Sequence, residues 1–314
     1  MLDDRLSLMF TLCDPALCDD EQVALTLQMI FGLTIEEIAR AFLVSTSTIA
    51  RRLLRANTTL FSGAPLAPLH LSAGELEDRM DAVLKVIYLV FNEGYSATSG
   101  TALVRADLCS DAIRLARQLR AQYPILVPEL EGLLALMLIQ DSRRDARVNE
   151  TGDLVPLPDQ NRDLWNWGQI EEGRTFLQTG LRGGAPGPYV LQAAIAAVHC
   201  QSRSAAETSW KGIVEIYTAL FALNGSPVVA LNRAIAVSMA EGPAVALQLV
   251  DGLKEALGTN LAWHATRADV LRRLGRTSEA VASYRRAREL TKNEVEQRFF
   301  DRRIAELVAS TAVH

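Results

Sequence analysis

The stretch that decides the fold of the N-terminal part of this chain runs from Gly32 to Leu53 and reads GLTIEEIARAFLVSTSTIARRL. Gly32 is suited to end one helix, and Thr34 followed by Glu37 has the spacing of a capping box that begins the next. A tight turn at residues 43–45 then leads into a further helix from about Ser45, which either Ser45 or Thr46 can cap. Two helices joined by such a turn form a helix-turn-helix.

The apolar residues of this stretch recur at helical spacing, so each helix has one face to bury. Ile38, Ala39 and Phe42 are expected to pack against Ile49 and Leu53. The opposite face of the second helix would then point to solvent or into a DNA major groove. The residues predicted to bind DNA there are Ser47, Thr48, Arg51, Arg52 and Arg55. The alternative is a solvated helix face, or a surface that docks on the rest of the chain.

The remaining pattern predicts an all-α fold. Helices are expected over residues 3–13 and 20–31, and the Thr, Ser, Gly and Pro of residues 57–71 are typical of a linker. We therefore predict a helix-turn-helix domain at 1–62, a linker at 63–75 and a helical domain at 76–314. Gly and Pro are scarce in this domain's helical stretches, and the whole chain of 314 residues has only 19 and 11 of them. The helices predicted in this domain are 76–91, 103–122, 127–141, 165–181, 189–200 and 208–223.

An internal repeat is clearest near the C-terminus. Ala234, Val237, Ala246 and Leu253 are matched by Ala268, Leu271, Ala280 and Ala287, each 34 residues later. That period is the tetratricopeptide length, so we predict a tetratricopeptide-like array with repeats at 227–260 and 261–294 and a capping helix at 294–308. The polar segment 143–163 is expected to form a small hairpin or an ordered loop.

Two groups of polar residues are candidates for binding a partner. Asn232, Asp269, Arg272 and Arg273 would face a concave groove that takes a peptide or protein, or would instead bond neighbouring helices. Asn92, Glu93 and Tyr95 follow a very apolar helix and form either a polar site or a structural loop.

At Gly32 to Leu53 the sequence resembles region four of extracytoplasmic-function sigma factors. The resemblance continues through FNEGYS at 91–96, LVRADL at 103–108, the segments 187–189 and 192–199, and 227–233. These linked motifs resemble the sigma-factor group that carries a C-terminal tetratricopeptide extension. The resemblance implies promoter DNA and core RNA polymerase as partners.

Two features depart from that family. No segment resembling region two, which grips the polymerase and melts the promoter, precedes residue 1, so we expect that the chain does not initiate transcription alone. Residues 1–62 contain five Arg, no Lys and eight Asp or Glu, a balance of −3, and the whole chain carries −5. Because phosphate neutralisation supplies much of DNA affinity, we expect weak, salt-sensitive binding.

Composition and motifs exclude several classes. The longest apolar stretches are too short for a membrane span, and the early acids Asp3 and Asp4 do not suit a secretory signal, so a cytoplasmic protein is expected. Four scattered cysteines and the separated His70, His199 and His264 lack ligand spacing, and we predict no metal and no cofactor. Phosphate-binding loops, nucleophile elbows and similar motifs are missing, which disfavours an enzyme.

The leading hypothesis is a sigma-like transcription regulator, in which the helix-turn-helix reads promoter DNA and the repeats regulate it through protein contacts. The alternative is a protein-interaction scaffold whose helix-turn-helix is an inert cap. The third hypothesis is an enzyme or a small-molecule sensor that uses a pocket between the repeats and residues 91–95, and no motif supports it.

Overall fold

The computed structural model of the protein describes residues 4–61, 71–123, 125–202 and 207–312. Within these ranges the chain forms sixteen α-helices and two strands of two residues each, which confirms the predicted all-α helical-repeat fold. No helix in these ranges is long and apolar enough to cross a membrane.

The first four helices are α1 (Asp4–Leu12), α2 (Asp19–Phe31), α3 (Ile35–Phe42) and α4 (Thr46–Phe61). The next five are α5 (Ala73–Tyr95), α6 (Ala106–Gln122), α7 (Pro128–Asp141), α8 (Trp167–Arg182) and α9 (Pro188–Gln201). The last seven are α10 (Trp210–Asn224), α11 (Pro227–Ala240), α12 (Pro243–Gly252), α13 (Lys254–Leu257), α14 (Leu261–Arg273), α15 (Thr277–Leu290) and α16 (Glu294–Ala312). The strands are β1 (Ser99–Gly100) and β2 (Lys292–Asn293).

One hydrophobic core joins the N-terminal helices to the start of the array. It runs from α1 through α7, and Phe10 and Phe91 are among its largest fully buried side chains. Arg79 of α5 reaches across the junction, where its Nη1 donates to the carbonyl oxygen of Phe10 at 2.8 Å and its Nη2 lies 3.6 Å from Asp14. The N-terminal helices and α5 are therefore packed as one body.

The linker predicted at 63–75 falls largely outside the described residues. Its described end is already structured, because α5 begins at Ala73. Ser72 forms a capping box with Glu75, in which the Ser72 amide donates to Glu75 at 2.8 Å. This cap is the sequence signal that places the helix start three residues before the expected position of 76.

The repeat spacing is visible in the helices near the C-terminus. α11 and α14 begin at Pro227 and Leu261, and α12 and α15 begin at Pro243 and Thr277, so each pair of starts is 34 residues apart. Ala234, Ala246, Ala268 and Ala280 are all fully buried, and their small size lets paired helices approach closely.

The C-terminal helix turns back onto the loop between α5 and α6. β1 and β2 pair in parallel, with Ser99 opposite Lys292. Farther along α16, Arg298 and Arg302 lie 3.1 Å and 3.3 Å from Asp153. Asp153 belongs to the predicted hairpin, whose Val148 and Leu154 form an antiparallel bridge. Residues of α3, α5, α7, α9, α11 and α14 line a cavity of about 1220 Å³, which is called the central cavity below.

Candidate nucleic-acid interface

The helix-turn-helix is built by local signals at each of its ends. α2 ends at Gly32 in the left-handed conformation, with φ of 64°. Thr34 and Glu37 form the predicted capping box, in which the Thr34 amide donates to Glu37 at 2.7 Å and the Glu37 amide donates to the Thr34 hydroxyl at 3.2 Å. α3 ends at Leu43, also left-handed, and the hydroxyl of Ser45 accepts from the amide of Thr48 at 3.2 Å to begin α4. These bonds fix the angle between α3 and α4.

The predicted packing between the two helices is confirmed. Ile38 and Ala39 of α3 and Ile49 and Leu53 of α4 are buried in the same core. Phe42 is partly buried against it and lies under two cations, with its ring centre 5.7 Å from the Arg52 guanidinium and 5.1 Å from the Lys85 ammonium. The remaining face of α4 is thereby left outside the core.

The outer face of α4 begins with Ser47 and continues through Arg51. Both residues are exposed, and Thr48 is half-buried at the edge of the face. The hydroxyl of Ser45 lies 2.9 Å from the hydroxyls of both Ser47 and Thr48. Within the described part of the chain no carboxylate lies in ion-pair distance of Arg51, so its guanidinium is available to an incoming group.

The other two arginines of α4 are engaged by acids of α2. Nη2 of Arg52 lies 2.9 Å from Asp20, its side chain is only 20% exposed, and its Nη1 is buried without a hydrogen-bond partner. Nε of Arg55 lies 3.0 Å from Glu21, but that side chain is 67% exposed. The structure thus places Arg52 inside the helix-turn-helix, where it holds α4 on α2, and leaves Arg55 accessible with part of its charge neutralised.

The turn before α4 faces the central cavity. Val44, Ser45 and Thr46 line it, and so do Asn92 of α5 and Asn232 of α11. The N-terminal residues of the second helix are the ones that reach base edges in helix-turn-helix proteins. The N-terminal end of α4 therefore lies directly beside the repeat array.

Ion pairs and hydrogen bonds connect the motif to the array through α3. Nη1 of Arg40 donates to the carbonyl oxygen of Ala97 at 3.1 Å, and its Nη2 lies 3.6 Å from Glu296 of α16. Arg105 at the start of α6 donates to Glu37 at 2.8 Å. These contacts hold α3 against the loop between α5 and α6, the start of α6, and α16.

Asn92, Glu93 and Tyr95 do not lie in a loop, because the last turn of α5 contains all three. Glu93 is buried and accepts from the amide and hydroxyl of Thr98, at 2.8 Å and 2.5 Å. Burial raises the pKa of Glu93, and the two bonds from Thr98 oppose that rise. The ring of Tyr95 stacks on Phe91. Only Asn92 of this group lines the cavity.

The residues of the second group of partner candidates do not all lie at the cavity. Asn232 lines the cavity, but Asp269, Arg272 and Arg273 do not. Arg272 pairs with Asp269 one helical turn away at 2.6 Å, and Arg273 donates to the hydroxyl of Ser238 at 2.6 Å. The bonding of Arg273 to α11 is the alternative that the sequence left open for these residues.

Sequence reasoning missed Arg143, which lies on the wall of the cavity just beyond the end of α7. Residues of α5, α7 and α9 line the same cavity, and no local motif signals that Arg143 joins them. His199 lines the same wall, and its burial, helped by the positive charges of Arg143 and Arg162, lowers its pKa to about 4. Among the described residues no group of three or more His, Cys, Asp or Glu is arranged to hold a metal ion, and His70 lies outside them.

Comparison with known proteins assigns two parts of the chain. Residues 16–60, which contain α2, α3 and nearly all of α4, match the family model described as sigma-70, region 4. Residues 79–181, from α5 into α8, match a family of unknown function, DUF6596.

A relative aligns along almost the whole chain. An uncharacterised protein of Rhizobium meliloti (strain 1021) is 42% identical over 311 residues, which is 99% of this chain and 73% of the relative. Together, the helix-turn-helix geometry, the region 4 match and this similarity along almost the whole chain show that the chain belongs to the family of the rhizobial protein and is a sigma-factor-like protein with a sigma-70 region 4 domain.

Proposed function

We propose that the protein regulates transcription initiation in the manner of an extracytoplasmic-function sigma factor, in the cytoplasm and in complex with core RNA polymerase. The observation that carries the proposal is the outer face of α4, where Ser47, Thr48 and Arg51 lie together beside the capped helix start. Helix-turn-helix proteins place this face in the major groove. Arg51 would donate a hydrogen bond to a base edge or a phosphate, and Arg55 would contact the phosphate backbone of the DNA.

The few unpaired cations on α4 explain why core RNA polymerase would be needed for tight binding to DNA. Asp20 and Glu21 already neutralise Arg52 and Arg55, so few cations remain to release counterions from DNA. A complex with polymerase would supply the other DNA contacts, and α4 would then add sequence discrimination. Each well-placed side chain pairing with a base edge contributes about 1–3 kcal/mol of discrimination.

The repeat array is proposed to regulate this activity. Its 34-residue helix spacing supports a tetratricopeptide-like array. Arg40 and Glu37 tie α3 to α16 and α6, and the α3–α4 turn lines the cavity of the array. A peptide, protein or small ligand that reshaped the cavity would thereby change the position of α4.

The experiment is a titration of fluorescently labelled promoter DNA with the protein and core RNA polymerase, followed by anisotropy at two salt concentrations. Arg51→Glu is expected to weaken specific binding at least tenfold, because it replaces a donor with a like charge facing phosphate. The matched control is Arg285→Glu, which makes the same change on an exposed residue of α15. Equal binding by both variants, or no preference over a scrambled promoter, would refute DNA recognition by α4.

The second candidate function is a protein-interaction scaffold with an inert helix-turn-helix cap. The pairing of Arg52 with Asp20 and the net charge of −5 favour it. In that case Arg51→Glu would leave promoter output unchanged, while changes in the cavity would abolish binding of a protein partner. Arg52 is unsuited to this comparison because it stabilises the fold.

A further inference from the structure

The central cavity combines an apolar wall with a small number of polar groups. Leu89, Leu136, Ile195 and Leu231 contribute apolar surface from four different helices. Gln140, near the end of α7, adds a polar group on one side. Its volume of about 1220 Å³ is sufficient for an organic molecule of moderate size.

The charge of the cavity wall is opposite in sign to the charge of the protein. Among the described residues, Arg40, Arg143 and Lys292 line it together with one acid, Glu36, although the whole chain carries −5. Arg40 is paired with Glu296. His199 is neutral at pH 7 because its pKa lies at about 4. The cations that remain to attract a ligand are Arg143 in the wall and Lys292 at an exposed position.

Arg143 is a buried cation with an unfilled hydrogen-bonding site. Its residue surface is only 7% exposed, and its Nε has no hydrogen-bond partner. Nη2 donates to the hydroxyl of Tyr95 at a long 3.4 Å, and the guanidinium lies 5.9 Å from the Trp165 ring. No carboxylate in the described ranges lies within ion-pair distance of it. An unpaired buried charge is costly, so a bound anion would stabilise this arrangement.

We propose that the central cavity binds one small organic anion, whose oxyanion group accepts hydrogen bonds from Arg143 and whose apolar body packs against Leu136 and Ile195. The planar guanidinium fork suits such a group, because two of its N–H donors can reach two oxygens at once. The ligand would lie in the same cavity as the α3–α4 turn. Binding itself does not depend on DNA recognition, so the two proposals fail separately.

The test uses 1-anilinonaphthalene-8-sulfonate, an apolar molecule with one sulfonate, as a fluorescent probe of the full chain. Wild-type protein is expected to bind one probe molecule saturably. Arg143→Gln is expected to weaken that binding at least tenfold, and the matched control Arg285→Gln, on exposed α15, is expected to bind as wild type does. Circular dichroism and the melting temperature of each variant establish that it is folded.

A second variant keeps the test decisive if Arg143→Gln fails to fold. Gln140→Trp places a large ring in the cavity while Arg143 is retained, and it is expected to abolish the saturable binding. The proposal is overturned if wild-type protein shows no saturable site, or if a folded Arg143→Gln or Gln140→Trp variant binds the probe as tightly as wild type.

Discussion

Asn293 joins the C-terminal helix α16 to the loop between α5 and α6, beside the helix-turn-helix. Its replacement by alanine should remove the hydrogen bonds that hold the helix and the loop together. The side chain is fully buried. Its Nδ2 donates to the carbonyl oxygens of Ala97 and Ala102 at 3.2 Å and 2.8 Å, and its Oδ1 accepts from the amide of Val295 at 3.0 Å. Ala97 is also the acceptor for Arg40 of α3. One loop therefore links α16 to the motif.

The expected loss follows from these bonds. Removal of a helix cap costs about 1 kcal/mol, and each of two buried hydrogen bonds contributes about 1 kcal/mol. Asn293→Ala should therefore lower the free energy of unfolding by about 3 kcal/mol. Amide hydrogens of α16 should also exchange faster, because local opening becomes easier.

The assay is urea denaturation followed by circular dichroism, with hydrogen exchange measured by mass spectrometry. Asn260→Ala is the matched control, since Asn260 caps α14 by accepting from the Ala262 amide at 2.8 Å and its side chain makes no other hydrogen bond within the described ranges. The control should lose only about 1 kcal/mol. Equal losses in the two variants, with unchanged exchange in α16, would refute the role assigned to Asn293.

Further predictions concern stability and pH. The pKa of His199 is lowered to about 4, so the unfolded chain takes up a proton at a higher pH than the folded one, and stability should fall as the pH falls from about 6.5 to about 4. His199→Gln should flatten this part of the stability profile measured by urea denaturation; an unchanged slope would show that other groups cause it. Gly132→Ala should lower the free energy of unfolding by roughly 1–2 kcal/mol, because the added Cβ would lie 2.5 Å from the amide nitrogen of Val190, and overpacking outweighs the gain in helix propensity. Gly74→Ala, with no atom within 4 Å of its added Cβ, should be neutral or stabilising, so a similar loss in both variants would contradict this explanation.

The local parts of the fold could be predicted from the sequence because short-range bonds determine them. Thr34 and Glu37 form the expected capping box, and Ser45, one of the two caps expected for α4, accepts from the Thr48 amide. The 34-residue spacing predicted from alanines near the C-terminus agrees with the helix starts. The capping pairs are three residues apart, and the repeat is a periodic pattern that can be read directly along the chain.

The parts that could not be predicted depend on contacts between distant segments. Arg52 is predicted to bind DNA from its position on the second helix, and its ion pair with Asp20 of α2 could not be read from the spacing of the sequence. In the sequence Arg143 is one charge of a polar segment, and only the packing of several helices brings it to the cavity. The joint at Asn293 spans 196 residues to Ala97, a separation over which periodicity carries no information.

The most direct test of the account is site-specific cross-linking in a complex of the protein, core RNA polymerase and promoter DNA. A photoreactive amino acid placed at Ser47, on the exposed start of α4, should form a cross-link to the promoter that disappears with a scrambled sequence. The same amino acid at Arg285 on α15 should form none. Cross-links from position 47 only to protein, or equal DNA cross-linking from both positions, would contradict promoter recognition by α4.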